Sequence, residues 1–487
     1  MVVPALVALR IAVLHCDSTP CDGEHSRQMI RELLPDPAAQ FLDFDAQRQE
    51  FPPSWDAFDA VVITGGTASV NAADAWVVRL AEEIRNIARR ASAKALRVLG
   101  VCFGHQMLAH ALGGAVSQHA EGLFFGPRRF LVSAHAQAGM QWEHSHMSLF
   151  CSHEEVVTLL PPGSRPFGVS SRCGVEGMVL GTHVLSVQGH PELSGDMGLQ
   201  SVRALAAHFV DRGCISEQAA ADAVAAASAM DVGEASLCWR ALGAFLREGL
   251  KPGPLFGESG QALQPIMGFG SLLSEASARL SFPNLTGFRL ARLLGFRRVM
   301  RHPASIFMER GIGRLQTQEL ASLCVEHVDV EEEEEAGRGG TRAGFLVAAF
   351  NIPADELPAF FEREEEFFIV SAPIHELDGA VRERGLVCCA STDDEYISRH
   401  GRRVFTEKYL SAGLDSIWNW SGPILPCRVY LRHCVLAAEK AGGDVRDDFV
   451  DSTLLADRRT TIREHLQEHP SIMQEAPPPA LAHRYSG

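Results

Sequence analysis

Residues 99–110 read LGVCFGHQMLAH. Cys102 stands two positions from Gly100 and two from Gly104, after an apolar run and before a helix-like run. That layout, G-x-nucleophile-x-G, is what a nucleophile elbow needs. The turn from strand to helix is sharp, so its flanking residues must be small, and the side chain between them is held at the carboxyl edge of the sheet. The N–H of the next residue, Phe103, can then point at a developing oxyanion. The positive end of the following helix, expected over residues 104–112, favours thiolate over thiol. The chemistry this predicts is attack by sulfur on an acyl carbon.

A cysteine nucleophile needs a base, and the base needs an orienting group. The run Val187-Gln188-Gly189-His190-Pro191-Glu192 offers both, 88 residues downstream (190 − 102). His190 can take the thiol proton and return it to a leaving amine. Glu192 can hold the imidazole tautomer. Five other histidines, His105, His110, His144, His146 and His153, invite a metal reading. His144-Ser145-His146 comes nearest, yet no third ligand stands at suitable spacing, so neither a metal nor a cofactor is expected.

These side chains must be carried by a scaffold. RIAVLHC (10–16), DAVVIT (59–64), LRVLGV (96–101) and HVLSVQ (183–188) read as strands, and residues 75–95 have helical periodicity. Strands alternating with helices imply an α/β fold with parallel strands. Residues 213–250 are alanine-rich and read as one or two helices, and KPGPLFGESG (251–260) reads as a linker.

The 487 residues are 46% hydrophobic and carry a net charge of −16. Such a chain can fill two or three cores and repels nucleic acid and anionic lipid, so neither is an expected partner. Twelve scattered cysteines without a CxxC pair point to reduced thiols. The N-terminus lacks the charged start and long apolar core of a signal peptide, and no run of about 18 apolar residues is present. A cytoplasmic protein is expected, with an organelle left open.

GVCFGHQ, ITGGTASV and QGHPE together resemble the class I glutamine amidotransferase domain, over roughly residues 10–210. SHEEVVTLLPPG (152–163) resembles the segment ahead of that family's histidine strand. Within the family the chain most resembles the stand-alone, GMP-synthase-like branch that includes plant γ-glutamyl peptidases. The resemblance implies a flavodoxin-like domain with Cys102 as nucleophile, His190 as base and Glu192 as its partner. It places Gly66 and Phe103 as oxyanion donors and Gln106 and Gly122 near the glutamyl pocket. The small-molecule partner is then a γ-glutamyl amide such as glutamine, glutathione or a γ-glutamyl conjugate, cleaved through a thioester. No SGG-x-DS loop and no G-x-x-x-x-G-K-[ST] loop is present to activate an acceptor with ATP. That shifts weight from amide transfer toward hydrolysis. A glutaminase feeding ammonia to a separate acceptor enzyme is the alternative.

The second half opens with Ile266-Met267-Gly268-Phe269-Gly270-Ser271-Leu272-Leu273, an apolar strand entering a Gly-x-Gly turn whose N–H groups can hold a carboxylate. Downstream lie FRLARLLGFRRVMRH (288–302), interleaved like a strand pair, and FFEREEEFFIV (360–370). Over roughly 265–435 this half resembles the γ-glutamyl cyclotransferase-like fold, a small β-barrel with flanking helices. The resemblance implies substrate contacts from Gly268, Phe269, Gly270, Ser271 and Leu272, with Phe269 where the family has tyrosine. It implies a catalytic glutamate at Glu364, with Glu365 as alternate. An inactive C-terminal half, serving binding or regulation, is the rival reading. Expected boundaries are a domain over 1–212, a helical segment and linker over 213–262, a second domain over 263–440 and a partly loose extension over 441–487. The run EEEEE (331–335) followed by AGRGG reads as a solvated loop.

Overall fold

Four nearly unbroken apolar runs build the first sheet, because a strand covered on both faces cannot alternate with polar residues. The computed structural model describes residues 9–487 apart from 18–27, 29, 33–38, 95, 254, 256–262, 329–343 and 421. The acidic run and AGRGG lie outside the described residues. The chain divides into two units, Met1–Phe256 with Ile397–Gly401, and Gly257–Tyr396 with Arg402–Gly487.

In the first unit the strands are β1 (Arg10–His15), β2 (Gln40–Asp45), β3 (Ala60–Ile63), β4 (Arg97–Val101), β5 (Ala115–Gln118), β6 (Phe124–Val132), β7 (His146–His153), β8 (Glu155–Leu159), β9 (Arg165–Pro166), β10 (Gly168–Val169), β11 (Gly177–Leu180) and β12 (Val184–Val187). The main sheet has the order β2-β1-β3-β4-β12-β11-β9. Its first five strands run parallel, β11 runs antiparallel to β12, and β9 runs antiparallel to β11. Alternate residues feed two cores: Leu14, Val61 and Ile63 on one face, Ile11, Val13 and Val62 on the other. The helices α1 (Ala75–Lys94) and α2 (Phe103–Ala111) cover the first face through Leu80, Ile84 and Met107. Each such fully buried side chain contributes about 2 kcal/mol. The order of the main sheet's first five strands, 2-1-3-4-5 along the chain, is the flavodoxin-like arrangement expected. The lesser sheets, β10-β6-β7 and β5-β8, were not foreseen.

The alanine-rich segment read as helical carries two helices among the described residues. Its helices α3 (Glu217–Ser228) and α4 (Val232–Glu248) belong to the first unit. Cys238, Leu242, Phe245 and Leu246 of α4 join the core containing Leu99 and Val101, because α4 carries an apolar stripe long enough to cap that sheet face.

The second unit contains β13 (Leu263–Gly268), β14 (Thr286–Leu294), β15 (Phe296–Pro303), β16 (Glu319–His327), β17 (Gly344–Pro353), β18 (Phe368–Glu376), β19 (Val381–Cys389), β20 (Leu425–Pro426) and β21 (Thr453–Leu455). The strands β13-β17-β14-β18-β19 follow one another, and pairing of Ile266 with Leu386 joins β19 back to β13. A barrel results, with β16, β15 and β21 extending from β19. β14 and β15 are strands, but they do not pair with each other. β14 lies between β17 and β18, and β15 between β16 and β21. Four of their five arginines are committed to acids: Arg289 to Glu376 and Glu383, Arg297 and Arg301 to Glu326, Arg298 to Asp448.

The 441–487 extension, expected to be partly loose, is folded. It supplies α5 (Gly443–Ser452), β21 and α6 (Ile462–Glu468). β21 pairs with β15, and Phe449, Ile462, Ile472 and Tyr485 are buried. Pro470 follows α6 and opens the short helical turn after it. Among the described residues no helix is long and apolar enough to cross a membrane.

Candidate active site

Three adjacent parallel strands, β3, β4 and β12, deliver their carboxyl ends to one place, where ligands of open α/β sheets bind. β3 leads to Thr64-Gly65-Gly66, β4 to Cys102 and β12 to Gln188-Gly189-His190. Cys102 caps α2 with φ 50° and ψ −105°, a conformation that costs a non-glycine residue of order 1–3 kcal/mol. The flanking glycines are there for space. A methyl group at Gly100 would lie 2.5 Å from Leu108 Cδ1, and one at Gly104 would lie 2.2 Å from the Ile63 carbonyl oxygen. The Cys102 N–H donates to the Val187 carbonyl at 2.9 Å, and Gly104 N–H to Thr64 at 3.1 Å, locking the elbow to its neighbours.

His190 is fixed by its own N–H, which donates to Phe150 at 2.7 Å. Its Nδ1 lies 2.7 Å from Glu192 Oε1, and its ring faces Cys102. Burial works against the imidazolium, but the neighbouring Cys102 and Glu192 outweigh it and hold His190 well above its ordinary value. The structure therefore brings Cys102, His190 and Glu192 side by side, His190 between the other two.

The remaining expected residues divide. Phe103 opens α2 directly after Cys102 and is fully buried against Trp76. Gly66 is pressed toward β1: a methyl group there would meet the Cys16 carbonyl oxygen at 2.5 Å. Gln106 is buried, and its amide donates to the Glu155 carbonyl at 2.7 Å and to Gln188 Oε1 at 3.3 Å. Gly122 occupies an exposed turn with φ 75° and open space around it.

Three contacts of the cysteine went unassigned in the sequence reading. Gly65 lies against the pair, since a methyl group there would sit 2.9 Å from His190 Cε1. Gln188 Nε2 donates toward Cys102 Sγ at 3.8 Å, and the thiol points at the Ser152 carbonyl at 3.6 Å. Gly65, Gln188 and Ser152 all lie inside the quoted motifs, which was the available signal. Next to them Arg128 and Glu176 form a buried ion pair at 3.1 Å.

The second unit has a cavity of about 380 Å³. Gly268, Phe269, Gly270, Ser271 and Leu272 line it together with Glu364, Glu365 and Glu366. A methyl group at Gly268 would lie 2.4 Å from Leu272 Cβ, so the turn closes only with glycine there. The Phe269 carbonyl accepts from Arg298 at 3.3 Å, and Arg298, fully buried, donates to Asp448 and Ser452 at 2.7 Å each. The extension thus buttresses the turn. The glutamates are distinguished by their partners. Glu365 pairs with Lys408, and Glu366 accepts from Tyr409 at 2.7 Å. Glu364 has Arg363 at 3.0 Å. Burial, with the charge of Glu366, keeps Glu364 above the usual carboxylate range against the pull of Arg363.

Residues 38–209 match the family model "Glutamine amidotransferase class-I". Gamma-glutamyl peptidase 5 of Arabidopsis thaliana is 31% identical over 155 residues, 30% of this chain and 60% of the relative. The chain thus spans about three fifths of that relative's length. Glutamine amidotransferase-like protein chyE of Penicillium rubens is 28% identical over 203 residues, 39% of this chain and 80% of the relative. A solved structure of a glutamine amidotransferase from Thermotoga maritima overlays with a TM-score of 0.41 at 17% identity, covering 50% of this chain and 99% of that one.

Proposed function

We propose, from the premise that the N-terminal half is a class I glutamine amidotransferase domain with γ-glutamyl-peptidase-like relatives, that this half hydrolyses a γ-glutamyl amide bond through a thioester. The observation that carries the reading is a strained cysteine facing a histidine whose far nitrogen lies 2.7 Å from a carboxylate. Cys102 as thiolate attacks the γ-carbonyl, and the carbonyl oxygen takes up the negative charge. The N–H groups of Phe103 and of the Gly65-Gly66 turn are the donors for it, each supporting about 3 kcal/mol of transition-state stabilisation. The His190 imidazolium, oriented by Glu192, protonates the leaving amine. It then takes a proton from the water that opens the thioester, releasing the γ-carboxylate and the thiol. Gln106 and Gly122 remain the proposed pocket residues. Gln106 acts through Gln188 and Glu155, to which it is bonded.

The second unit is proposed to bind a γ-glutamyl group in its cavity and to cyclise it. The substrate's α-amine attacks its own γ-carbonyl, Glu364 carries the amine proton to the departing amine, and 5-oxoproline is released. Glu364 suits this role because its partner is Arg363 at 3.0 Å and burial raises its proton affinity.

The test is mass spectrometry of products after the purified full chain is incubated with glutathione and, separately, with glutamine. Glutamate released from glutathione and lost in Cys102→Ala supports the peptidase reading. Full retention of γ-glutamyl hydrolysis in Cys102→Ala overturns it. Release of 5-oxoproline that survives Glu364→Gln overturns the second assignment.

A further inference from the structure

Three guanidinium groups border the second unit's cavity: Arg310, Arg363 and Arg484. Two are spoken for. Arg363 meets Glu364 at 3.0 Å. Arg310 donates to the Tyr485 hydroxyl at 2.6 Å and lies over that ring at 5.7 Å. Arg484 has no carboxylate partner among the described residues. Partial burial and then the like charges of Arg310 and Arg363 depress its proton affinity below the ordinary value. A guanidinium that gives up hydration beside two other cations lacks compensation, and a bidentate carboxylate is the group that matches its geometry.

Its position is held. Tyr485 is buried and bonded to Arg310, so the residue before it is kept at the cavity wall. The glutamates lie on the same cavity, and Glu365 and Glu366 are occupied by Lys408 and Tyr409. The cavity therefore offers a carboxyl for proton transfer and a cation without an internal anion. Its volume is within the range of small-molecule sites.

We infer that Arg484 anchors a carboxylate of the ligand, so that the second unit selects γ-glutamyl compounds whose amine portion carries its own carboxylate, as in a γ-glutamyl dipeptide, over γ-glutamyl amines without one. The inference rests on the γ-glutamyl reading of the cavity given above. It assigns the specificity to a segment outside the barrel, expected from sequence to be loose.

The test is calorimetric titration of the full chain carrying Cys102→Ala and Glu364→Gln, which together keep both units from consuming the probes. The probes are γ-glutamylglycine and its C-terminal amide. The free acid is expected to bind about tenfold tighter than the amide, the difference one charge-assisted contact makes. Arg484→Gln is expected to abolish that preference while leaving the amide's affinity unchanged, and Arg484→Lys to retain part of it. Equal binding of acid and amide, or a preference that survives Arg484→Gln, overturns the carboxylate anchor and leaves the γ-glutamyl reading standing. Binding of neither probe overturns both.

Discussion

The two units place a candidate site on opposite kinds of scaffold. In the first, Cys102 and His190 follow the carboxyl ends of the parallel strands β4 and β12, and the surrounding backbone fixes them. In the second, the turn 268–272 is shaped by local sterics, but its support comes from Arg298 and Asp448, 150 residues apart. A site built on strand ends is written in short motifs. A site built on a barrel is completed by residues distant in sequence. The largest expected effect separates the two. Cys102→Ala should lower glutamate release at least about 10⁴-fold, since removing a nucleophile leaves only binding and oxyanion donors. It should leave 5-oxoproline release unchanged, and Glu364→Gln should do the reverse. Product analysis of both variants checks this, and a single variant that stops both reactions would break the comparison.

Acid should also distinguish the units. In the first, burial pushes His105 and His153 down to about 3 and His135 well below its ordinary value. In the second, burial pushes His433 down to about 4. A base with a depressed folded value binds its proton in the unfolded chain first, so its contribution is whole above about 6.5 and is lost as pH falls. At pH 5 each such histidine costs on the order of 2 kcal/mol. His190 runs the other way, since its raised value makes its contribution complete below the ordinary one. Between pH 7 and pH 5 that offsets less than about 1 kcal/mol. In the second unit Glu326 is held at about 2: burial raises it, but Arg458 and Arg301 outweigh burial. Its contribution is intact down to about 4.5 and is lost toward 2. Hydrogen exchange at pH 5, corrected for intrinsic rates, should show amides of the first unit losing protection before those of the second. The opposite order would break the comparison.

The two backbones should respond differently to one added methyl group. At Gly104 it would be 2.2 Å from a carbonyl oxygen of β3, which cannot move without disturbing the sheet. At Gly385, in β19, it would meet Ile374 Cδ1 at 3.0 Å and Met267 Cγ at 3.2 Å, side-chain atoms that can give by a rotation and not backbone. Gly104→Ala should cost about 3 kcal/mol or more, and Gly385→Ala should stay within about 1 kcal/mol of the parent. Urea unfolding of both variants measures the difference.

The same contrast explains what could be read from the sequence. The strands at 10–16, 59–64, 96–101 and 183–188 were legible because both-face burial writes continuous apolar runs. The elbow was legible because steric demand places glycine at fixed offsets from Cys102. Gln188 and Gly65 were in view, yet nothing in their types announced contact with the sulfur. β14 and β15 were legible as strands, but their partners are β17, β18, β16 and β21, and pairing across such distances leaves no local mark. The three glutamates at 364–366 look alike in sequence and differ only in the partners that Lys408, Tyr409 and Arg363 supply. The extension was misread because its proline-rich end resembles a tail, while Arg298, Ile472 and Tyr485 give it a core to join.

That misreading supplies the smallest effect. Helix α6 begins with a capping box: Glu464 N–H donates to Thr461 Oγ1 at 3.2 Å, and Thr461 N–H donates to Glu464 Oε2 at 2.8 Å. A cap has energetic weight only where the helix it starts is part of the cooperative fold. Thr461→Ala removes the acceptor for one otherwise unpaired helix donor and should cost about 1 kcal/mol. If the extension were a tail, the same change would leave the unfolding midpoint of the second unit where it was. A shift of a few degrees in that midpoint, with the first unit's transition unmoved, would mean that residues 441–487 fold with the barrel and that Asp448 holds Arg298 as part of one cooperative structure.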